Sequence, residues 1–380
     1  IFAIEEISRA SADQRAGRAG RTDSGVCWRL WTESGHLNRP ARNTPEIQRA
    51  DLAEVVLLLH SLGVRHAADF DWLDRPDTAA VDKAEHLLVT LGALARPDAT
   101  AVASSPDDSP DQARRRAAHS DLTPIGRQML RLPMHPRFSR MLVEASRRQC
   151  VPAAALCAAL VSGRDLLMRP GRDDAQLKDA RELFEASDAS DFHTLIRAHQ
   201  YARNARFSVD ACRRMGIHAQ TARTVEDTFH QIMDVARREK LWTEPSDDPA
   251  NAAPPAQDAL PRCLLAGFVD QLAIRRNKGT LDCDLPFLRS GTLARDSVVQ
   301  ETTHLVVANI REISGRTGNV TLLTQATAID PAWLEEMFPQ HVTDTLEHLF
   351  DATHKRVAAV RVRRFLDLRS EEHTSELQSL

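Results

Sequence analysis

The chain has 380 residues, 42% hydrophobic and 27% charged, with a formal net charge of -4. Composition of this kind is globular and long enough for about two to four domains. It excludes a polycationic binder, so any grip on nucleic acid must come from local basic surface. No apolar run approaches the ~20 residues of a membrane-spanning helix, and no secretory signal opens the chain. The six cysteines include no C-x-x-C pair or His partner at zinc spacing, which fits core thiols and a reduced, cytoplasmic setting.

Residues 1–38 read as the end of an α/β unit, with Ile1–Ile7 as a strand end and Val26–Trp31 as a short closing strand. Between them lies Gln14-Arg15-Ala16-Gly17-Arg18-Ala19-Gly20-Arg21. On a helix, spacings of four and three place Gln14, Arg18 and Arg21 on one face. Gly17 and Gly20 leave the backbone bare for close approach. Fork-shaped, permanently charged guanidiniums suit phosphate oxygens.

Residues 39–122 open on Thr44-Pro45-Glu46, an N-cap followed by proline at the first helical position. Leu52, Val55, Val56, Leu59 and Leu62 form an apolar stripe that Gly63 ends, and a second helix is expected from Thr78 to Leu91. Ala93–Ala95 and Leu122-Thr123 read as two short strands around a polar stretch, 96–120, too poor in apolar residues to fold. Two helices and a β-wing predict a winged-helix domain with a disordered wing loop.

Helical pattern dominates residues 123–243, from Thr123-Pro124 through the elbow Leu132–Phe138 to a long helix over His218–Lys240. Arg203, Arg206, Arg213, Arg214 and Arg223 could line a groove there. Residues 244–260 form a Pro/Ala/Asp linker. In 261–368 a helix over Cys263–Ile274 precedes strands expected at Gly279–Leu285, Gly291–Val299, His304–Ile313, Val320–Ile329 and Arg356–Phe365, with a helix around Pro331–Met337. Five strands and an interposed helix fit an OB-fold-like barrel. Its basic residues Arg275, Arg276, Lys278, Lys355, Arg356, Arg361 and Arg363 are the candidate contacts to a single strand, through phosphates rather than stacking, since aromatics are only 5% of the chain. Residues 369–380 resemble a translated sequencing adapter and are set aside as an artefactual tail. The resulting fold class is multidomain and mainly α, with a C-terminal β-barrel.

Q-R-x-G-R-x-G-R, preceded by Ser8–Asp13 and followed by Gly25–Trp31 and Thr44–Arg49, resembles the last signature motif of DEAH/DExH-box helicases of the RHA type, and within them a bacterial HrpB-like branch. The resemblance implies that residues 1–38 end the second RecA-like domain and that 123–243 is a ratchet-type helical domain. It also implies that Gln14, Arg18 and Arg21, with Gly17, complete a site for ATP with Mg2+. In such sites an arginine finger neutralises charge on the γ-phosphate and a glutamine orients the attacking water. No G-x-x-x-x-G-K-[ST] loop and no D-E-x-H run occurs in the sequence. The chain therefore reads as a C-terminal fragment that does not hydrolyse ATP alone. The expected partner is single-stranded nucleic acid, RNA favoured over DNA by family habit, bound by a monomer away from membranes. The alternative is a non-catalytic nucleic-acid-binding or protein-interaction module.

Overall fold

The computed structural model describes residues 6–95, 122–169, 175–185, 187–242, 256–277, 279–315, 318–351 and 356–373. Ser8 starts helix α1 (Arg9–Arg18) by accepting a hydrogen bond from the Ser11 amide. Arg9 and Ala10 donate their amides to Pro40 and Ala41, which ties α1 to the stretch after α2 (Glu33–Leu37). The closing strand expected at Val26–Trp31 is not formed: these residues have no ladder partner among the described residues and bend at Leu30 and Trp31, and the strand end at Ile1–Ile7 falls almost wholly outside the described residues.

The helix expected from Thr44 begins later. Glu46–Gln48 make a single 3-10 turn, and α3 (Ala53–Ser61) starts where the Asp51 carboxylate accepts from the Ala53 amide. Asp51 provides the nearer cap, and no side chain caps the short turn. Helix α4 (Thr78–Thr90) begins at Asp77, which caps the Ala79 amide. Leu94 bridges Leu122, and the loop expected at 96–120 lies outside the described residues.

The helical middle follows the punctuation closely. Thr123 caps α5 (Pro124–Met129) by accepting from the Gly126 amide, and His135 Nδ1 accepts from the Arg137 amide at the start of α6 (Pro136–Arg147). Then come α7 (Val151–Ser162), α8 (Ala175–Glu182), α9 (Asp191–Asn204), α10 (Val209–Arg214), the long α11 (Ala219–Arg238) and α12 (Ala259–Phe268). Ala222, Val225, Ile232 and Ala236 are the buried stripe of α11. Where α12 crosses α6, Gly267 permits contact: an added Cβ would lie 2.8 Å from the Arg137 carbonyl oxygen. Cys150, Cys157, Cys212, Cys263 and Cys283 are buried free thiols, and Cys27 is exposed.

Five strands close a barrel in the order β1-β2-β3-β5-β4: β1 (Leu272–Arg275), β2 (Asp282–Leu285), β3 (Arg289–Leu293), β4 (His304–Gly315) and β5 (Gly318–Ala328). All neighbours are antiparallel except β3 and β5. Two expectations change here. Cys263–Ile274 is not one helix, because α12 stops at Phe268 and Leu272 begins β1, a strand too short to show its own period. Arg356–Phe365 is not a barrel strand. It is β7, paired between β6 (Val342–Asp351) and β8 (Leu368–His373) in a separate sheet. The first five residues of the stretch set aside as a tail, 369–373, belong to β8, and 374–380 fall outside the described residues. Helix α13 (Ala332–Met337) joins the barrel to this sheet.

One apolar core runs from Leu52 through the helical bundle to Phe338, Phe365 and Leu368, and the barrel interior (Ala273, Leu285, Leu305, Val307, Leu323) forms a second. Each large side chain fully buried in these cores contributes about 1.5–3 kcal/mol.

Candidate nucleic-acid interface

Helix α1 carries Gln14 and Arg18 one turn apart, both exposed. Arg21 lies in the bend beyond the Ala19 cap, so the one-face geometry holds for Gln14 and Arg18 and not for Arg21. Gly17 and Gly20 are open, since a Cβ on either would meet nothing within 4 Å. The turn is held from behind: Arg29 donates to Asp13 at 2.6 Å and reaches His36 Nε2 at 2.9 Å. Among the described residues, Gln14, Arg18 and Arg21 have no side-chain partner, so their polar ends are available to a ligand. Beside them Trp28 and Leu30 are 85% and 94% exposed.

The candidate residues of 261–368 divide between the barrel and the C-terminal sheet. Arg275 is only 6% exposed and donates Nη2 to the Val299 carbonyl at 2.9 Å, so it braces the β3–β4 loop and is not on the surface. Its alternation with Ile274 on a very short strand gave no sign of this. Arg276 is exposed and clamped on Asp284 through Nε and Nη2 at 2.8 and 2.6 Å. Asp282, on the other side of Cys283 from Asp284, accepts from the Thr292 hydroxyl at 3.0 Å. Arg363 spans Asp344 and Glu335 at 2.9 and 3.0 Å. Lys278 and Lys355 lie outside the described residues, and Arg356 and Arg361 are described only as positions on β7. Of the candidates whose side chains are described, Arg275 is therefore buried, and Arg276 on the barrel and Arg363 on the C-terminal sheet are paired with carboxylates.

The bundle presents more. Arg203, Arg206, Arg213, Arg214 and Arg223 are all exposed on or beside α9–α11, and Arg223 donates to the Phe207 carbonyl at 3.1 Å. Arg164 and Arg213 line a cavity of about 640 Å³ between α7, α10 and the start of α11, together with Thr221 and Thr224.

Bundle and barrel meet along a polar seam that the sequence did not announce. Arg311 of β4 pairs with Asp165 through both carboxylate oxygens, and Arg169 approaches the same group. Hydrogen bonding from Arg311 holds the Asp165 carboxyl below its ordinary range. Arg181 pairs with Asp296 at 2.9 Å. At the start of α9, Asp191 accepts from the Ser297 hydroxyl and from the Val298 and Ala326 amides, at 2.8–3.0 Å. Burial pushes Asp191 up, and those donors oppose the shift. Beneath the seam Arg137 and Asp270 form a bidentate pair joining α6 to the turn before β1. Burial alone would raise Asp270, but Arg137 outweighs it and holds the carboxyl low.

The profile of the helicase-associated domain HA2, described as ratchet-like, matches residues 135–208, the stretch from α6 through α9. The chain is 28% identical over 352 residues to the ATP-dependent RNA helicase HrpA of Escherichia coli, covering 89% of this chain and 24% of that protein. It is 29% identical over 235 residues to the mouse ATP-dependent RNA helicase DHX33, covering 62% of this chain and 31% of the relative. Its fold matches the crystal structure of the E. coli DExH-box NTPase HrpB with a TM-score of 0.57 at 20% identity, over 97% of this chain and 36% of that one. The chain thus spans roughly a quarter to a third of the proteins it resembles.

Proposed function

We propose, starting from a chain that is similar to the C-terminal region of DExH-box RNA helicases, that it serves as the strand-holding part of an ATP-dependent RNA helicase. In this reading residues 39–122 are a winged helix, the bundle a ratchet domain and the closed barrel an OB-fold. Together they form a platform for single-stranded RNA in the cytoplasm. Gln14, Arg18 and Arg21 face the γ-phosphate of ATP with its Mg2+, the arginines neutralising charge and the glutamine orienting water.

The observation that carries the reading is the exposed arginine set on α9–α11, within and just beyond the ratchet-like match. Arginines of this kind neutralise phosphates and release counterions, so affinity falls steeply with salt. Fluorescence anisotropy of a labelled single-stranded RNA against the chain, across a salt series, tests it. Binding that weakens with salt is expected. Arg213→Glu with Arg214→Glu should weaken it and lower the salt slope by about one for each phosphate left unneutralised. Salt-independent binding, or none at low salt, would overturn the platform. The chain alone should leave ATP intact, and turnover abolished by Arg18→Ala would contradict that.

A further inference from the structure

Strand β5 breaks stride at one residue. Its pairing with β4 keeps a constant register from Leu305–Ala328 to Gly315–Gly318, yet the Ala308–Gln325 pair is missing and Gln325 takes φ +57°. That left-handed backbone is strained for glutamine, and such strain persists only where the surroundings impose it. Asp191 anchors the next residue. It takes the adjacent Ala326 amide at 2.8 Å while gripping Ser297 and Val298 across the seam.

Gln325 lines a cavity of about 330 Å³ between α9 and the barrel, within the range of roughly 300–1,000 Å³ typical of small-ligand sites. Three buried polar atoms of its lining have no hydrogen-bond partner among the described residues: Gln325 Oε1, Thr194 Oγ1, on a residue only 3% exposed, and Arg181 Nε, which lies 3.6 Å from the Glu185 carboxylate. Leu195 and Leu322 add apolar wall. At the rim, Arg311 and Arg169 lean on Asp165 and Arg181 on Asp296, so most of the positive charge is balanced locally.

A phosphate would suit this interior poorly, because it brings no donor for an amide oxygen. A planar group with a donor beside an acceptor fits an amide edge, and apolar walls suit its faces. Adenine offers that pair on both its Watson–Crick and its Hoogsteen edge; uracil offers it too, at N3–H and O4, but brings a smaller ring to the apolar walls. We propose that this cavity receives one unstacked nucleobase of the bound strand, adenine preferred, with the Gln325 amide reading its edge and the Thr194 hydroxyl as second contact. The inference rests on the single-strand reading above and adds base selectivity to a sequence-tolerant grip.

The test compares fluorescein-labelled oligo(A), oligo(U) and an oligo(A) carrying abasic positions, by anisotropy on the full chain at one low salt concentration. Oligo(A) should bind at least about fivefold tighter than the abasic strand, the lower end of what one good edge contact is worth, with oligo(U) between them. Gln325→Ala and Thr194→Val should erase that preference and leave the salt slope unchanged. Gln325→Gly relieves the backbone strain and serves as the folded control: it should melt no lower than the parent and still lose the preference. Equal binding of all three strands with a normal salt slope would overturn the base pocket and leave the platform standing. So would variants that behave as the parent, the result expected if water alone fills the cavity. Binding of no strand would overturn the platform and the pocket with it.

Discussion

Gln325 stores backbone strain of about 1–3 kcal/mol, the cost of holding a bulky residue left-handed. Gln325→Gly should recover about 1 kcal/mol and raise the melting temperature by a few degrees, measurable by calorimetry. Asp270 carries the opposite lesson. Replacing it with alanine leaves Arg137 charged, buried and unpaired, and should cost about 3–5 kcal/mol in a denaturant titration. Asp51 supplies a pH signature. Its hydrogen bond to His135 holds the carboxyl at about 2, against an ordinary 3.8. A depressed carboxylate favours the folded state above its unfolded pKa, and that contribution is lost as pH falls through the folded value. Stability should therefore decline between about pH 4 and pH 2 through this group, and Asp51→Asn should flatten that part of the acid curve, followed by circular dichroism. None of these three residues could be read from the sequence. An ion pair 133 residues apart, or a left-handed turn within a strand, depends on partners that local pattern does not name.

Elements were far more legible, and the errors have a common cause. Thr123-Pro124 and the elbow before Pro136 mark helix starts because cap chemistry is local, as does the α11 stripe because its period runs for twenty residues. Strand β1 has four residues, too few for a period, and was absorbed into the helix before it. Arg356–Phe365 showed its alternation plainly, but alternation does not say which sheet a strand joins. Gly267 makes an element-scale prediction. Because its missing Cβ would press on the α6 backbone, Gly267→Val should overpack the α6–α12 crossing by about 1–3 kcal/mol, read as a lower denaturant midpoint with unchanged slope.

At the scale of the whole molecule, the continuous core from Leu52 to Leu368 joins pieces that the sequence divides into winged helix, bundle and barrel. Boundaries drawn from linkers and loops marked where the chain changes pattern, while the apolar packing runs across them. Residues 6–43 contribute no member to that core, and their apolar side chains Val26, Trp28 and Leu30 face outward. Among the described residues, limited proteolysis should cut within 19–31 before it cuts the bundle helices α5–α11, mapped by mass spectrometry. Initial cleavage inside the bundle would contradict this organisation.

The end of α4 shows what such continuity does mechanically. Its last carbonyls, Thr90 and Leu91, are taken by buried His341 from the stretch before β6 and by buried Arg140 from α6. Three distant parts of the chain are thus clasped around one helix terminus, with no free swivel at that point. A load applied to α4 passes to the bundle and to the C-terminal sheet together, as through a keystone.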